Sequence, residues 1–301
     1  MKAMKLAVPM FAAALAYGPS QGLAVPILGA DLASFAVLGA TTVTNVPAST
    51  ITGNVGVSPG EALPGFNFTA GASTLDPQVT GTVESNTALA ASAQGQLTAA
   101  RATLASLGVG LTLGADLAGL TLAPGIYTVA AGTTNLSGTL TLNGLGNANA
   151  LWVFQMPSTL ITSPNSVVNV INTGTGSGLF WNVGSSATID TTTSFQGNIL
   201  ALTSISLNTA ATIGCGRALA DTGAVTLQQN TISIGCAGTG EEGSNGLSGG
   251  GIDVVGGVAR DNNGTVVSVP GRVLPEPGTL VLFGFGLAAL LTFRKRLLAV
   301  A

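Results

Sequence analysis

The chain has no histidine, two cysteines, and only 9 Lys+Arg and 12 Asp+Glu among 301 residues. Charged residues make up 7% of it, against about 25% in an ordinary globular chain. Each scarcity closes off a class of function. Without histidine there is no Ser-His-Asp triad and no imidazole metal site, and two cysteines are too few for a structural zinc site. A net charge of -3 supplies no basic stripe for nucleic acid and no acidic field for a cationic partner. The central body holds two basic residues, Arg101 and Arg217, and its acids are dispersed. Asp190 and Asp221 therefore read as solvated turn residues, not as a catalytic pair. Gly246-Leu247-Ser248-Gly249-Gly250 has the spacing of a nucleophile elbow but no base to serve it, so it reads as chance. No enzyme, no cofactor and no metal are expected.

What remains is a chain rich in glycine, with 43 residues, in which short apolar runs alternate with Thr, Ser and Asn. That alternation marks half-buried strands. Solubility then comes from hydroxyls and amides, which suits a neutral partner.

Both ends read as addresses. Residues 1–24 form a signal peptide, with Lys2 and Lys5 before an apolar stretch from Leu6 to Ala16 and small residues before Val25. Cleavage after Ala24 is preferred over Ala16, and a membrane anchor is the weaker alternative because the run is short. At the other end, Pro275-Glu276-Pro277 precedes the apolar run Leu280 to Phe293 and Arg294-Lys295-Arg296. This arrangement over residues 275–301 resembles the PEP-CTERM sorting signal of Gram-negative bacteria. The resemblance implies export, a transmembrane helix before processing, and transfer to the cell surface or matrix. Residues 239–274 are Gly, Ser and Asn rich and read as a flexible spacer.

Within the body, residues 25–238, one stretch has a different period. Leu89, Ala93, Leu97, Ala100, Leu104 and Leu107 recur at steps of three and four, which predicts a helix over about 82–107 ending at Gly108. After Leu111 strand-like runs recur and superpose in three columns, the signature of a solenoid with a triangular section. The first column holds Leu140-Thr141-Leu142-Asn143, Ala187-Thr188-Ile189-Asp190, Ile205-Ser206-Leu207-Asn208 and Val225-Thr226-Leu227-Gln228. The second holds Ser194-Phe195, Thr212-Ile213 and Thr231-Ile232. In the third, Leu151 to Phe154, Leu179 to Trp181 and Ile199 to Leu202 are apolar on both sides, so this wall is expected to lie under the helix. Cys215 and Cys236 stand about one turn apart. Neighbouring turns are roughly 4.8 Å apart, within reach of a disulfide, and export permits oxidation. A disulfide is expected, with two buried free thiols as the other possibility.

Residues 28–45, from Leu28-Gly29-Ala30-Asp31 to Thr44-Asn45, together with Ile51-Thr52-Gly53-Asn54-Val55-Gly56-Val57, closely resemble the opening of the microbial ice-binding-like domain. Gly197 to Ala201 and Gly223 to Leu227 are similar to its closing turns. The resemblance implies a mainly β fold: a right-handed, discontinuous three-faced β-solenoid with one long α-helix packed alongside. It also implies a candidate surface, because ice binders of this family carry Thr-Ala/Gly-x-Thr/Asn on one wall. Thr209-Ala210-Ala211-Thr212 matches fully, Thr191 to Ser194 and Thr162 to Asn165 match in part, and Gln228 to Thr231 keeps the last position. Thr162, Asn165, Thr191, Ser194, Thr209, Thr212 and Thr231 are the expected ice face. Threonine is also simply a good strand residue, and a rival ladder of Thr141, Thr188, Ser206 and Thr226 occupies the other open wall. Two functions are consistent with these features: a surface-held protein that binds ice or an ice-like water lattice, or a structural component of an extracellular polysaccharide matrix.

Overall fold

In a computed structural model the described residues are 26–46, 48–237, 241–261 and 264–267. The expected signal peptide over residues 1–24, the sorting motif with Pro275, Glu276 and Pro277, and the apolar run after it lie outside them. Among the described residues no helix is long and apolar enough to cross a membrane.

The short alternating runs form strands because each buries every second side chain against the next turn. Their pairing is parallel and runs in three stacks. One stack runs through Leu111–Leu113, Gly125–Val129, Leu151–Met156, Gly178–Val183, 198–201 and 217–220, and then meets Phe35–Gly39, Asn54–Val57 and Val83–Ser85. The N-terminal strand thus completes the stack at the end of the last turn, as the discontinuous topology requires. A second stack contains Thr139–Asn147, Val167–Thr173, the first halves of Ser194–Ala201 and Thr212–Ala220, Thr231–Ser233 and Thr50–Thr52. The third contains Leu160–Ile161, Ala187–Ile189, Ile205–Leu207, Val225–Leu227 and Val43–Asn45. Inside, Tyr127, Phe154, Trp181 and Phe195 form a continuous aromatic run, with Phe154 and Trp181 at 4.2 Å and 9° between planes.

Thr141 corrects the first predicted column. It pairs with Asn169 and Thr121 in the second stack, not with Thr188 in the third. The two stacks share the pattern apolar, Thr, apolar, Asn, so periodicity alone cannot separate them.

The long helix is Ala88–Ser106, and its buried stripe is Ala90, Ala93, Leu97, Ala100 and Leu104. It starts later than expected because Val83–Ser85 is a strand on Asn54–Val57. Thr87 then caps the helix, its Oγ1 accepting from Ala90 N at 3.2 Å and donating to Glu84 Oε2 at 2.6 Å. Gly108, with φ +85°, closes it in the left-handed conformation expected of a C-terminal glycine. The stripe packs on the doubly apolar stack, against Leu151, Val153, Phe180, Leu200 and Leu219. Each large aliphatic so buried contributes about 1.5–3 kcal/mol. Polar pins fix the lateral position. Arg101 pairs with Asp221 at 3.0 Å and donates to Val183 O, while Gln94 donates to Ala220 O and Asp221 O. Asp221 is therefore a buried anchor and not the solvated turn residue its sequence context suggested.

The expected spacer also needs correction. Residues 241–261 fold back on the body, and Ile252–Val255 pairs with Val258–Asp261 as a hairpin. Leu247 lies in the main core, and Ile252 and Ala259 join the cluster under the helix. The reason is Arg217, fully buried with no acid beside it. Its Nη1 donates to Asn198 Oδ1 at 2.8 Å and Gly246 O at 3.2 Å, and its Nη2 to Ala33 O at 2.6 Å and Asn245 O at 2.8 Å. The returning segment supplies the carbonyls that a buried cation must have.

Candidate functional site

The expected face falls at the corner between the third and second stacks. Four successive turns pass this corner through one residue in the left-handed region: Asn165, Thr192, Ala210 and Gln229, all with φ between 53° and 59°. Two residues after each comes the first outward position of the second stack. Those positions pair as a ladder, Thr139–Val167–Ser194–Thr212–Thr231–Thr50. Ser194, Thr231, Thr50 and Thr139 are exposed and Thr212 is half-buried. Thr50 and Thr139 were missed, although Thr50-Ile51 repeats the Thr-Ile pair of Thr212-Ile213 and Thr231-Ile232.

Thr209 and Thr191 occupy the corner itself, one residue before the left-handed position. Thr209 Oγ1 donates to Gln228 Oε1 at 3.3 Å, and Thr192 Oγ1 to Asn165 Oδ1 at 2.8 Å. Asp190 flanks this row. Its Oδ1 accepts from Asn208 Nδ2 at 2.8 Å and Thr191 N at 2.7 Å, and these bonds hold its carboxyl below the usual carboxylate range.

Thr162 is not on this surface. It is 1% exposed, and its Oγ1 meets Thr193 Oγ1 at 3.1 Å and accepts from Asp190 N at 2.8 Å. Because Asn165 occupies the left-handed position, Thr162-x-x-Asn165 is two residues out of phase with Thr191-x-x-Ser194 and Thr209-x-x-Thr212. The true equivalent of Ser194 in that turn is Val167. Thr162 instead belongs to the polar lining beneath the corner with Ser166, Thr193 and Asn230, all buried. Asn230 Nδ2 donates to Asn208 O and Ala211 O, both at 2.9 Å. This inner hydrogen-bonding ladder holds the corner of each turn in the same conformation as the next.

Cys215 and Cys236 are joined, with Cα atoms 4.6 Å apart. The disulfide ties the last turns just beyond Thr212 and Thr231, and Ser244 Oγ of the returning segment lies 3.2 Å from Cys236 Sγ.

The strands of the second and third stacks carry no Asp, Glu, Lys or Arg before Arg217. Apart from the flanking Asp190, the surface is thus an uncharged array of short polar side chains, spaced along the stack by the strand repeat of about 4.8 Å.

Known proteins are similar to this chain in sequence and in fold. The ice-binding-like family model matches residues 37–233, and the PEP-CTERM protein-sorting motif matches residues 273–296. An ice-binding protein of Nostoc sp. (strain HG1) is 40% identical over 280 residues, covering 92% of this chain and 90% of that protein. Among solved structures, an ice-binding protein from an Antarctic biological consortium superposes with a TM-score of 0.59 at 34% identity, over 76% of this chain and 96% of that one. The ice-binding protein of the Antarctic ascomycete Antarctomyces psychrotrophicus gives 0.62 at 31% identity, over 70% and 98%.

Proposed function

Because this chain belongs to the ice-binding-like family, we propose that it is a non-enzymatic ice-binding protein, exported and held at the cell surface. The ladder of Thr139, Ser194, Thr212, Thr231 and Thr50, with Asn165, Thr191 and Thr209 at the corner, is the ice-contacting surface. The observation that supports this assignment most directly is the register: Ser194, Thr212, Thr231 and Thr50 are direct partners on successive strands. Ice presents neither a charge nor a pocket, only a repeating lattice of donors and acceptors. A rigid row of hydroxyls can anchor such a lattice while the threonine methyls exclude disordered water.

Export and surface association follow from the sorting motif. A Gram-negative source, a signal peptide ending at Ala24, and processing near Pro275, Glu276 and Pro277 are part of the same proposal. A polysaccharide-matrix role draws support from that motif alone, which a surface-held ice binder accounts for equally.

The test is thermal hysteresis and ice recrystallisation inhibition on the purified protein and on Thr212→Tyr/Thr231→Tyr. Activity in the wild type and a marked reduction of it in the double variant, with unchanged circular dichroism, are expected. A correctly folded wild type without either activity overturns the proposal.

A further inference from the structure

The third stack carries a second hydroxyl row. Thr188, Ser206, Thr226 and Thr44 are direct register partners on four successive strands, each half-exposed between two buried neighbours. The pairing from Leu160 to Asn45 runs without a register shift. The second stack, in contrast, shifts between Phe195 and Gln196.

The same four turns serve both rows. One turn supplies Thr188 and Ser194, the next Ser206 and Thr212, the next Thr226 and Thr231, and the N-terminal turn Thr44 and Thr50. The left-handed corner residues lie between the members of the first three of these pairs. The two rows are therefore locked in step by the backbone.

The hydroxyls of this row are not used inside the fold, as several other surface hydroxyls are. Two positions earlier on the same turns, Ser186 Oγ accepts from Ser204 N at 3.3 Å and Ser204 Oγ from Ala224 N at 3.2 Å. Elsewhere on the surface Thr98 donates to Asp221, Thr222 to Leu202 O and Ser233 to Gly235 O. The hydroxyls of Thr188, Ser206, Thr226 and Thr44 have no protein partner among the described residues, and neither do those of Ser194, Thr231 and Thr50. Both rows present their hydroxyls to water, and the residues on either side of each hydroxyl within its strand are uncharged.

We propose that the third stack is a second ice-contacting surface, so that the protein grips ice with two adjoining surfaces that meet at the Thr191 and Thr209 corner. This inference rests on the reading that the chain binds ice. Two surfaces set at an angle offer two differently oriented arrays to one crystal. Adsorption then extends to more than one family of ice planes, and simultaneous contact at a step strengthens retention.

The experiment uses the full protein fused to a fluorescent protein and adsorbed to a single-crystal ice hemisphere, with hysteresis measured alongside. The wild type is expected to mark more than one set of planes. Ser206→Tyr/Thr226→Tyr is expected to lose one set and to lower hysteresis roughly twofold or more, while Thr212→Tyr/Thr231→Tyr retains that set. Thr188→Tyr, on the adjoining strand, repeats the test should the double variant melt early. An active wild type whose plane pattern and hysteresis are unchanged in Ser206→Tyr/Thr226→Tyr and in Thr188→Tyr overturns the second surface and leaves the first intact. A folded wild type with no ice affinity overturns both.

Discussion

Arg217 and Asn198 are register partners on adjacent turns, and inside the protein the guanidinium of one donates to the carboxamide oxygen of the other at 2.8 Å. Burial pulls the Arg217 pKa down to about 9, so the side chain stays protonated at neutral pH. Carbonyls of Ala33, Asn245 and Gly246 surround it. This is where the N-terminal segment, the last solenoid turn and the returning C-terminal segment are joined.

Arg217→Met is accordingly expected to destabilise the fold by about 3–5 kcal/mol, because several buried acceptors lose their donor at once. Limited proteolysis should show earlier cleavage in residues 241–261 than in the wild type. Unchanged resistance there would mean that the segment is held by Leu247 and the hairpin alone.

Thr162→Ala and Thr212→Tyr should have opposite signatures. The first removes one partner of Thr193 Oγ1, which keeps its bond to Ser163 O, and the acceptor of Asp190 N. A loss of about 1–3 kcal/mol in thermal melting is expected with ice activity retained. The second should spare stability and reduce activity. Loss of hysteresis in a folded Thr162→Ala protein would place that residue in recognition after all.

Reducing the Cys215–Cys236 disulfide, or replacing both cysteines with serine, frees a loop with a sequence separation of 21. The expected cost is about 3 kcal/mol, read as a lower melting temperature with reductant. Hysteresis in the cold should persist, since Thr212 and Thr231 remain paired through the backbone.

Two buried carboxyls should give opposite pH dependence. For Glu84, burial raises the pKa, but hydrogen bonds from Ser73, Thr87 and Thr82 outweigh it and the net shift is downward. Its stabilising contribution is complete above the ordinary glutamate value of 4.5 and is lost as pH falls through the lower folded value. For Glu241, burial raises the pKa more than the Gln196 hydrogen bond lowers it. Its contribution is present below its ordinary value and is lost as pH rises through the folded one. Melting curves across about pH 3 to 7 should show Glu84→Gln less stable at neutral pH with a flatter acid limb, and Glu241→Gln more stable at neutral pH. The same slope in both variants as in the wild type would remove either residue from the acid response.

Much of the fold was legible in one dimension. The doubly apolar runs at Leu151, Leu179 and Ile199 announced a wall covered on both sides, and the stripe from Ala93 to Leu104 announced what covers it. The cysteine spacing announced a link between neighbouring turns. These features repeat with the period of a strand, a helix or a solenoid turn, and such periods are properties of the chain itself.

Phase was a different matter. Thr162 and Asn165 have the right residue types at the right spacing, yet strand pairing puts the left-handed corner at Asn165 and turns Thr162 inward. Thr141 matches Thr188 in local pattern and stacks with Asn169 instead. Residues 241–261 have the composition of a spacer, and they fold back because a buried guanidinium elsewhere needs their carbonyls. Local residue preferences thus determined the elements and their repeat. Which threonines face water, and which segments close the body, was decided by hydrogen bonds between residues far apart in the chain, since only the stacked turns set the register that turns a side chain in or out.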